Sequence, residues 1–167
     1  SARITQSVFA GEDAGNVGIA CEWDTLDVAM EFPGTIRSNA QAIEVMKSHG
    51  AEVLRRSVMR VQATRGSLEG KYGSLVVGTG DPATPEQMEA NADAFWGHIQ
   101  GGANGAMWAQ AVAAGPMTGA YLTMSLSDSV DQLMTEGQKA FADPAIQQIL
   151  ASMNFQLTGR SLFKVLG

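Results

Sequence analysis

The sequence has one cysteine, Cys21, in 167 residues. That excludes an internal disulfide and a thiolate metal cage, and makes a reducing compartment, the cytoplasm, the expected setting. Positive charge is scarce: eleven Lys and Arg against seventeen Asp and Glu give a net charge of −6. A nucleic-acid or anionic-membrane surface needs a basic footprint, and only Arg55, Arg56, Arg60 and Arg65 cluster at all, so neither partner is expected. No apolar run approaches the roughly 18 residues that span a bilayer, and SARITQSVF does not read as a signal peptide. The two histidines, His49 and His98, lie far apart without HxxxH spacing, so no metal site is expected, and nothing suggests a cofactor. GTGDPATP has neither GxxxxGK[ST] nor GxGxxG; its glycines and proline are explained by a strand end followed by a helix cap. No Ser-His-Asp or Cys-His set can be assembled.

What the sequence does have is a repeat. ITQSVFAGEDAG at residues 4–15 returns in outline as WAQAVAAGPMTG at residues 108–119. A shift of about 104 residues places Gln6 on Gln110, Gly15 on Gly119, Asp24 on Asp128 and Met30 on Met134. The register stays unbroken through Arg56-Ser57 on Arg160-Ser161 and Val61 on Val165, with about a fifth of the positions identical. Matched glycines and polar residues in one register indicate a duplication.

The second copy reads completely. YGSLVVGTG is a short apolar run closed by glycines, a strand. In TPEQ, Thr84 is an N-cap, Pro85 the first helical residue and Gln87 the third, a capping box. Met88, Ala92, Phe95 and Ile99 follow at helical spacing until Gly101-Gly102. GAMWAQAVAAG and GAYLTMSLS form a hairpin through PMTG; a helix opens at Asp128, and Asp143-Pro144 ends it and caps another. FQLTGRSLFKVL is the last strand. The order β-α-β-β-α-β is ferredoxin-like.

The first copy holds only the last four of those elements: a hairpin over residues 3–10 and 17–23, a helical segment from Asp24, and a strand over residues 52–62. Asn39 stands where Asp143 does and caps the matching short helix, while Pro33 is expected to break the helix before it. The expected organisation is a partial repeat over residues 1–65 and a complete one over residues 66–167. The leading strand and helix, about 35 residues, have no counterpart, and residue 1 falls opposite Gly105. A leading strand lies centrally in a ferredoxin-like sheet, so its loss leaves two inner strands with unpaired backbone groups. The expectation is an oligomer, either with a partner's strand in the gap or with a companion peptide cut just before residue 1. The alternative is that other strands of the chain close the gap.

GAYLTMSLSDSVDQLM, KAFADPAIQQIL and the looser VGIACEWDTLDVAM resemble the dimeric α+β barrel superfamily, nearest to its antibiotic-biosynthesis-monooxygenase and NIPSNAP-type groups. The resemblance implies an α+β fold of tandem ferredoxin-like repeats facing each other, with a small molecule held between the sheets. It favours a cofactor-independent oxygenation or an isomerisation.

Strand alternation puts Gln6 and Gln110, each flanked by apolar residues, at matched positions lining the inter-sheet space; the alternative is a bond to nearby backbone. Trp108 and Tyr121 are candidate ligand contacts, or plain core. Arg56 and Arg160 form a second matched pair, able to hold an anion or to lie on a solvated strand face. His98, one turn beyond Phe95, is the candidate proton-transfer residue, or else only caps a carbonyl. His49 reads as a helix-end histidine and Cys21 as a buried, inert thiol. Two functions follow: a small-molecule enzyme with Gln6, Gln110, Trp108, Tyr121, Arg160 and His98 around a ligand, or a non-catalytic assembly subunit built to pair its open sheet edge.

Overall fold

Four short sequence signals set the local framework of the computed structural model, which describes residues 2–167. Thr84 accepts from Gln87 N while the Gln87 side chain accepts from Thr84 N, the two halves of a capping box that starts helix α3, Pro85–Ile99. Asp143 accepts from Ala145 N and Pro144 takes the first position of α5, Pro144–Ser152. Asn39 does the same for α2, Ala40–Ser48, by accepting from Ala42 N. Helix α4, Val130–Ala142, and helix α1, Leu26–Ser38, are capped by Ser129 and Thr25, one residue beyond the aspartates expected to open them. A hydroxyl at that place has the extended backbone an N-cap needs, and Asp128 is instead bound by Asn104 Nδ2 at 3.3 Å.

The strands are β1 (Ala2–Phe9), β2 (Val17–Cys21), β3 (Val58–Gly66), β4 (Tyr72–Thr79), β5 (Gly105–Ala113), β6 (Tyr121–Ser127) and β7 (Gln156–Val165). With the five helices they make a mixed α+β fold. The strands form one sheet in the order β2-β1-β7-β4-β6-β5-β3, antiparallel wherever the register is defined. The expectation of two sheets facing each other is corrected here. β1 ladders onto β7 and β3 onto β5, so strands of the two halves join edge to edge.

Elements recur at the sequence offset. Helices α1 and α2, moved by 104 residues, coincide end for end with α4 and α5. Both hairpin turns are three-residue 3-10 turns, with Gly11 and Gly115 at φ 58° and Gly15 and Gly119 at φ 90°. In each, the second glycine's N–H donates 2.8 Å back to the strand, Gly15 to Ser7 and Gly119 to Ala111. Two expectations fail. Pro33 does not break α1, which runs past it to Ser38; the helix forgoes one backbone donor but keeps a cap at each end. The strand expected over residues 52–62 begins only at Val58 and runs to Gly66. Residue 1, expected opposite Gly105, lies outside the described residues.

The chain divides into two units. The larger comprises Ile4–Gly18 and Ser57–Gly167. Its core cluster includes Met88, Ala92 and Ile99 of α3, Leu133 and Ala140 of α4, and Trp108 and Tyr121 of the sheet. Leu126 and Ile146 are fully buried. The smaller contains Ile19–Arg56, where α1 packs on α2 and the Trp23 and Phe32 rings meet at 5.0 Å. Neither of its helices buries a residue. Among the described residues no helix is long and apolar enough to cross a membrane.

Candidate functional site

β4, β6 and β7 lie side by side in the larger unit, with Val76 of β4 opposite both Thr123 and Arg160. Residues two apart on a strand share a face, so Ser74 and Val76 look the same way. Above them α3, α4 and α5 close a cavity of about 90 Å³, lined also by Phe95, Phe141 and Met153. The expected place for a ligand was between two sheets. The observed cavity is instead between the sheet and its own helices.

Arg160 is the charged residue of this cavity. Its guanidinium carbon lies 5.4 Å from the Phe141 ring centroid and Nη1 lies 3.9 Å from Met134 Sδ. Nε is buried without a hydrogen-bond partner. No carboxylate lines the cavity, and burial pushes the Arg160 pKa down. Ser74 Oγ, also on the lining, is a second buried polar atom without a partner. It sits opposite Ser125, itself buried and lining. Arg160 Nε and Ser74 Oγ are thus two buried polar atoms left without partners beside apolar walls.

Tyr121 presents its ring to the cavity while its hydroxyl donates to Asp81 O at 3.0 Å and accepts from Ala83 N at 3.1 Å. Those bonds hold the β4–α3 loop and leave the hydroxyl little capacity for a ligand. Trp108 is buried and forms part of the wall. The structure therefore brings together Trp108, Tyr121 and Arg160 of the candidate residues.

It does not bring in the other three. Gln6 is half-buried on β1 opposite Lys164, and Gln110 donates from Nε2 to Gly119 O at 3.3 Å, the nearby-backbone alternative. His98 lies off the cavity with Nε2 3.9 Å from Asp143 Oδ1. Arg56, the sequence counterpart of Arg160, is exposed. His49 ends α2, with Nδ1 3.0 Å from Val45 O. Cys21 is free and half-buried. Among the described residues no three His, Cys, Asp or Glu side chains gather as a metal-ligand set. Ser74 and Phe141 were not among the sequence candidates. A serine inside the apolar run YGSLVVG was the available signal for the first.

A wider groove of about 440 Å³ lies beside the β5–β6 turn, but Thr79, Thr118, Thr158 and their neighbours give it no ionisable side chain. The smaller cavity is the one with chemistry.

No protein-family model and no curated protein matches the sequence. Among solved structures, an anthrone oxidase-like protein superposes with a TM-score of 0.59 at 12% identity, covering 99% of this chain and 76% of that one. A major regulator of staphylococcal pathogenesis superposes with a TM-score of 0.44 at 14% identity, over 70% of this chain and 73% of that one. The first likeness shows a shared fold.

Proposed function

We propose that the chain is a small-molecule enzyme of the dimeric α+β barrel type, built from tandem ferredoxin-like repeats. Its ligand is a compact aromatic molecule carrying an acidic oxygen, a phenol or an enolisable ketone. The single observation that carries this reading is the Arg160 guanidinium, half-buried over an apolar cavity with Nε unpartnered. Apolar walls take the ring, Phe141 and Phe95 offer faces or edges to it, and Arg160 with Ser74 receives the oxygen. The shared fold of a neighbour named anthrone oxidase-like supports a small-molecule enzyme.

Chemically, Arg160 favours the ionised form of such a ligand and so lowers its pKa in the cavity. No histidine or carboxylate lines the chamber to take the proton. The reading is therefore that the ligand arrives as, or loses its proton to solvent to become, the anion. An electron-rich anion held away from water is the starting point for cofactor-independent oxygenation or for isomerisation. A volume of about 90 Å³ is below the few hundred Å³ of a typical ligand site, and the unbranched Met88, Met134 and Met153 on the wall can repack to admit a ring.

The test is spectrophotometric. Naphthols and enolisable aromatic ketones should bind with the absorbance of the anion at a pH where the free compound is neutral, and Arg160→Met should abolish that shift with at least a tenfold loss of affinity. Equal binding of the matched hydrocarbons, or an unchanged spectrum in Arg160→Met, would overturn the reading. A second reading, the non-catalytic assembly subunit, is favoured by a different observation: no residue from 2 through 62 is buried.

A further inference from the structure

Asn91 of α3, in the larger unit, also lines the cavity, and its Nδ2 donates to Met153 Sδ at 3.1 Å. A thioether is a weak acceptor, so the amide holds a poor partner where an oxygen would serve better. Met153 belongs to the far end of β4, where its carbonyl accepts from Asp81 N at 2.7 Å. Phe155 lies at that end too, since a Cβ on Gly78 would run into its ring. Ser74 and Gly78 are separated along β4 by about 13 Å at the usual strand rise. The helices show the same order. Arg160 stands over Phe141, the Phe141 and Phe95 rings meet edge-on at 5.8 Å, and Asn91 lies one turn before Phe95. Arg160 and Asn91 are thus polar groups on opposite sides of a pair of rings.

On the basis of the ligand class proposed for this cavity, we infer that Asn91 determines specificity by donating to a ketone carbonyl on the ligand, across the ring from the acidic oxygen at Arg160. The substrate is then a hydroxyaryl ketone. Met153 must move to admit a ring, and Asn91 Nδ2 loses its sulfur when it does. What takes the place of an acceptor is another acceptor, and a carbonyl oxygen is one. Among the described residues that line the cavity only Arg160 is charged. A neutral amide suits a neutral oxygen, while the guanidinium takes the ionised one. The two contacts reinforce each other. In a ketone conjugated through the ring, negative charge from the ionised hydroxyl reaches the carbonyl oxygen, where the Asn91 N–H stabilises it. Donors at both ends also fix which way round the ring lies.

The experiment compares para-hydroxyacetophenone with para-ethylphenol, which differ little in size, by binding titration and absorbance in the parent and two variants. With affinities corrected to the phenolate, the parent should favour the ketone by about 10-fold. Asn91→Leu should erase that preference, while para-ethylphenol still binds as the phenolate. Met153→Leu frees Asn91 of its sulfur and should widen the preference by about 3-fold, a gain that decides the matter even where Asn91→Leu fails to fold. No preference in the parent, or one that both substitutions leave unchanged, overturns the role of Asn91. A phenolate spectrum that persists in that case, and is lost in Arg160→Met, leaves the ligand class of the cavity standing. Binding of both compounds without the phenolate spectrum overturns the ligand class, and the role of Asn91 with it.

Discussion

A half-buried guanidinium whose Nε lacks a partner weakens the fold that holds it, and this sets stability against function at Arg160. Replacing it with Met removes an unsatisfied Nε and fills the same space with apolar surface beside Phe141 and Met134. Arg160→Met should therefore melt no lower than the parent, and higher if Nε is dry, while losing the ionised ligand. A clear drop in Tm without any ligand effect would make Arg160 a structural residue. The opposite pattern is expected at Thr84, which touches no cavity. Thr84→Ala breaks the capping box and should cost about 1 kcal/mol in urea denaturation, with ligand spectra unchanged. Next to it, the Glu86 carboxylate is held below its ordinary value of 4.5, first by its own backbone N–H and then by the Thr84 hydroxyl. A depressed folded pKa contributes stability that is full above the unfolded value and lost as pH falls through the folded one. Glu86→Gln should thus lower Tm at neutral pH, and the difference should shrink and vanish as the pH falls below the ordinary carboxylate range and through the depressed folded value. A difference that persists unchanged into acid would rule out the charge as its source.

At the scale of elements, the second half shows how much local chemistry can say. Its strands, its capping box, its Asp143-Pro144 start and its hairpin turn were each signalled by two or three adjacent residues, and each formed where signalled. The first half was legible only through its register with the second, and there tertiary context prevailed. Residues 52–57 have strand-like sequence but no ladder, so they form no strand. Pro33 should have ended α1, yet one lost hydrogen bond did not outweigh a cap at each end of a 13-residue helix. Of the site, Trp108, Tyr121 and Arg160 were legible as unusual residues at strand positions. Ser74 was not, because which strand face meets the helices depends on a sheet order that no local signal encodes. Gly73 makes that dependence measurable. A Cβ there would run into the Phe163 ring and stand 2.9 Å from Leu126, both buried. Gly73→Ala should cost about 1–3 kcal/mol by forcing β4 away from that face. Wild-type stability in this variant would mean the face is not packed as described.

For the whole molecule, the uneven distribution of burial determines how it should come apart. Among the described residues every buried one lies at or beyond Ala63, and the core runs through α3, α4, α5 and strands β3 to β7. Opening residues 19–56 exposes only half-buried apolar side chains such as Phe32, Ile36, Ile43 and Met46, so its free energy is small. Opening the rest must expose Leu126, Ile146 and their neighbours together. Unfolding of the 167-residue chain should therefore not be two-state. In urea, helical signal from α1 and α2 should be lost early and with a shallow slope, since that slope tracks the area exposed. Near-ultraviolet signal from Trp108 should follow later in a steep transition. Ile146→Ala sorts the two: it should shift only the second transition, by about 2–5 kcal/mol, because its cavity opens only in the larger unit. Pro33→Ala should do the reverse, strengthening α1 by restoring its missing backbone donor and shifting only the first. If both substitutions moved a single coincident transition, residues 19–56 would unfold cooperatively with the core.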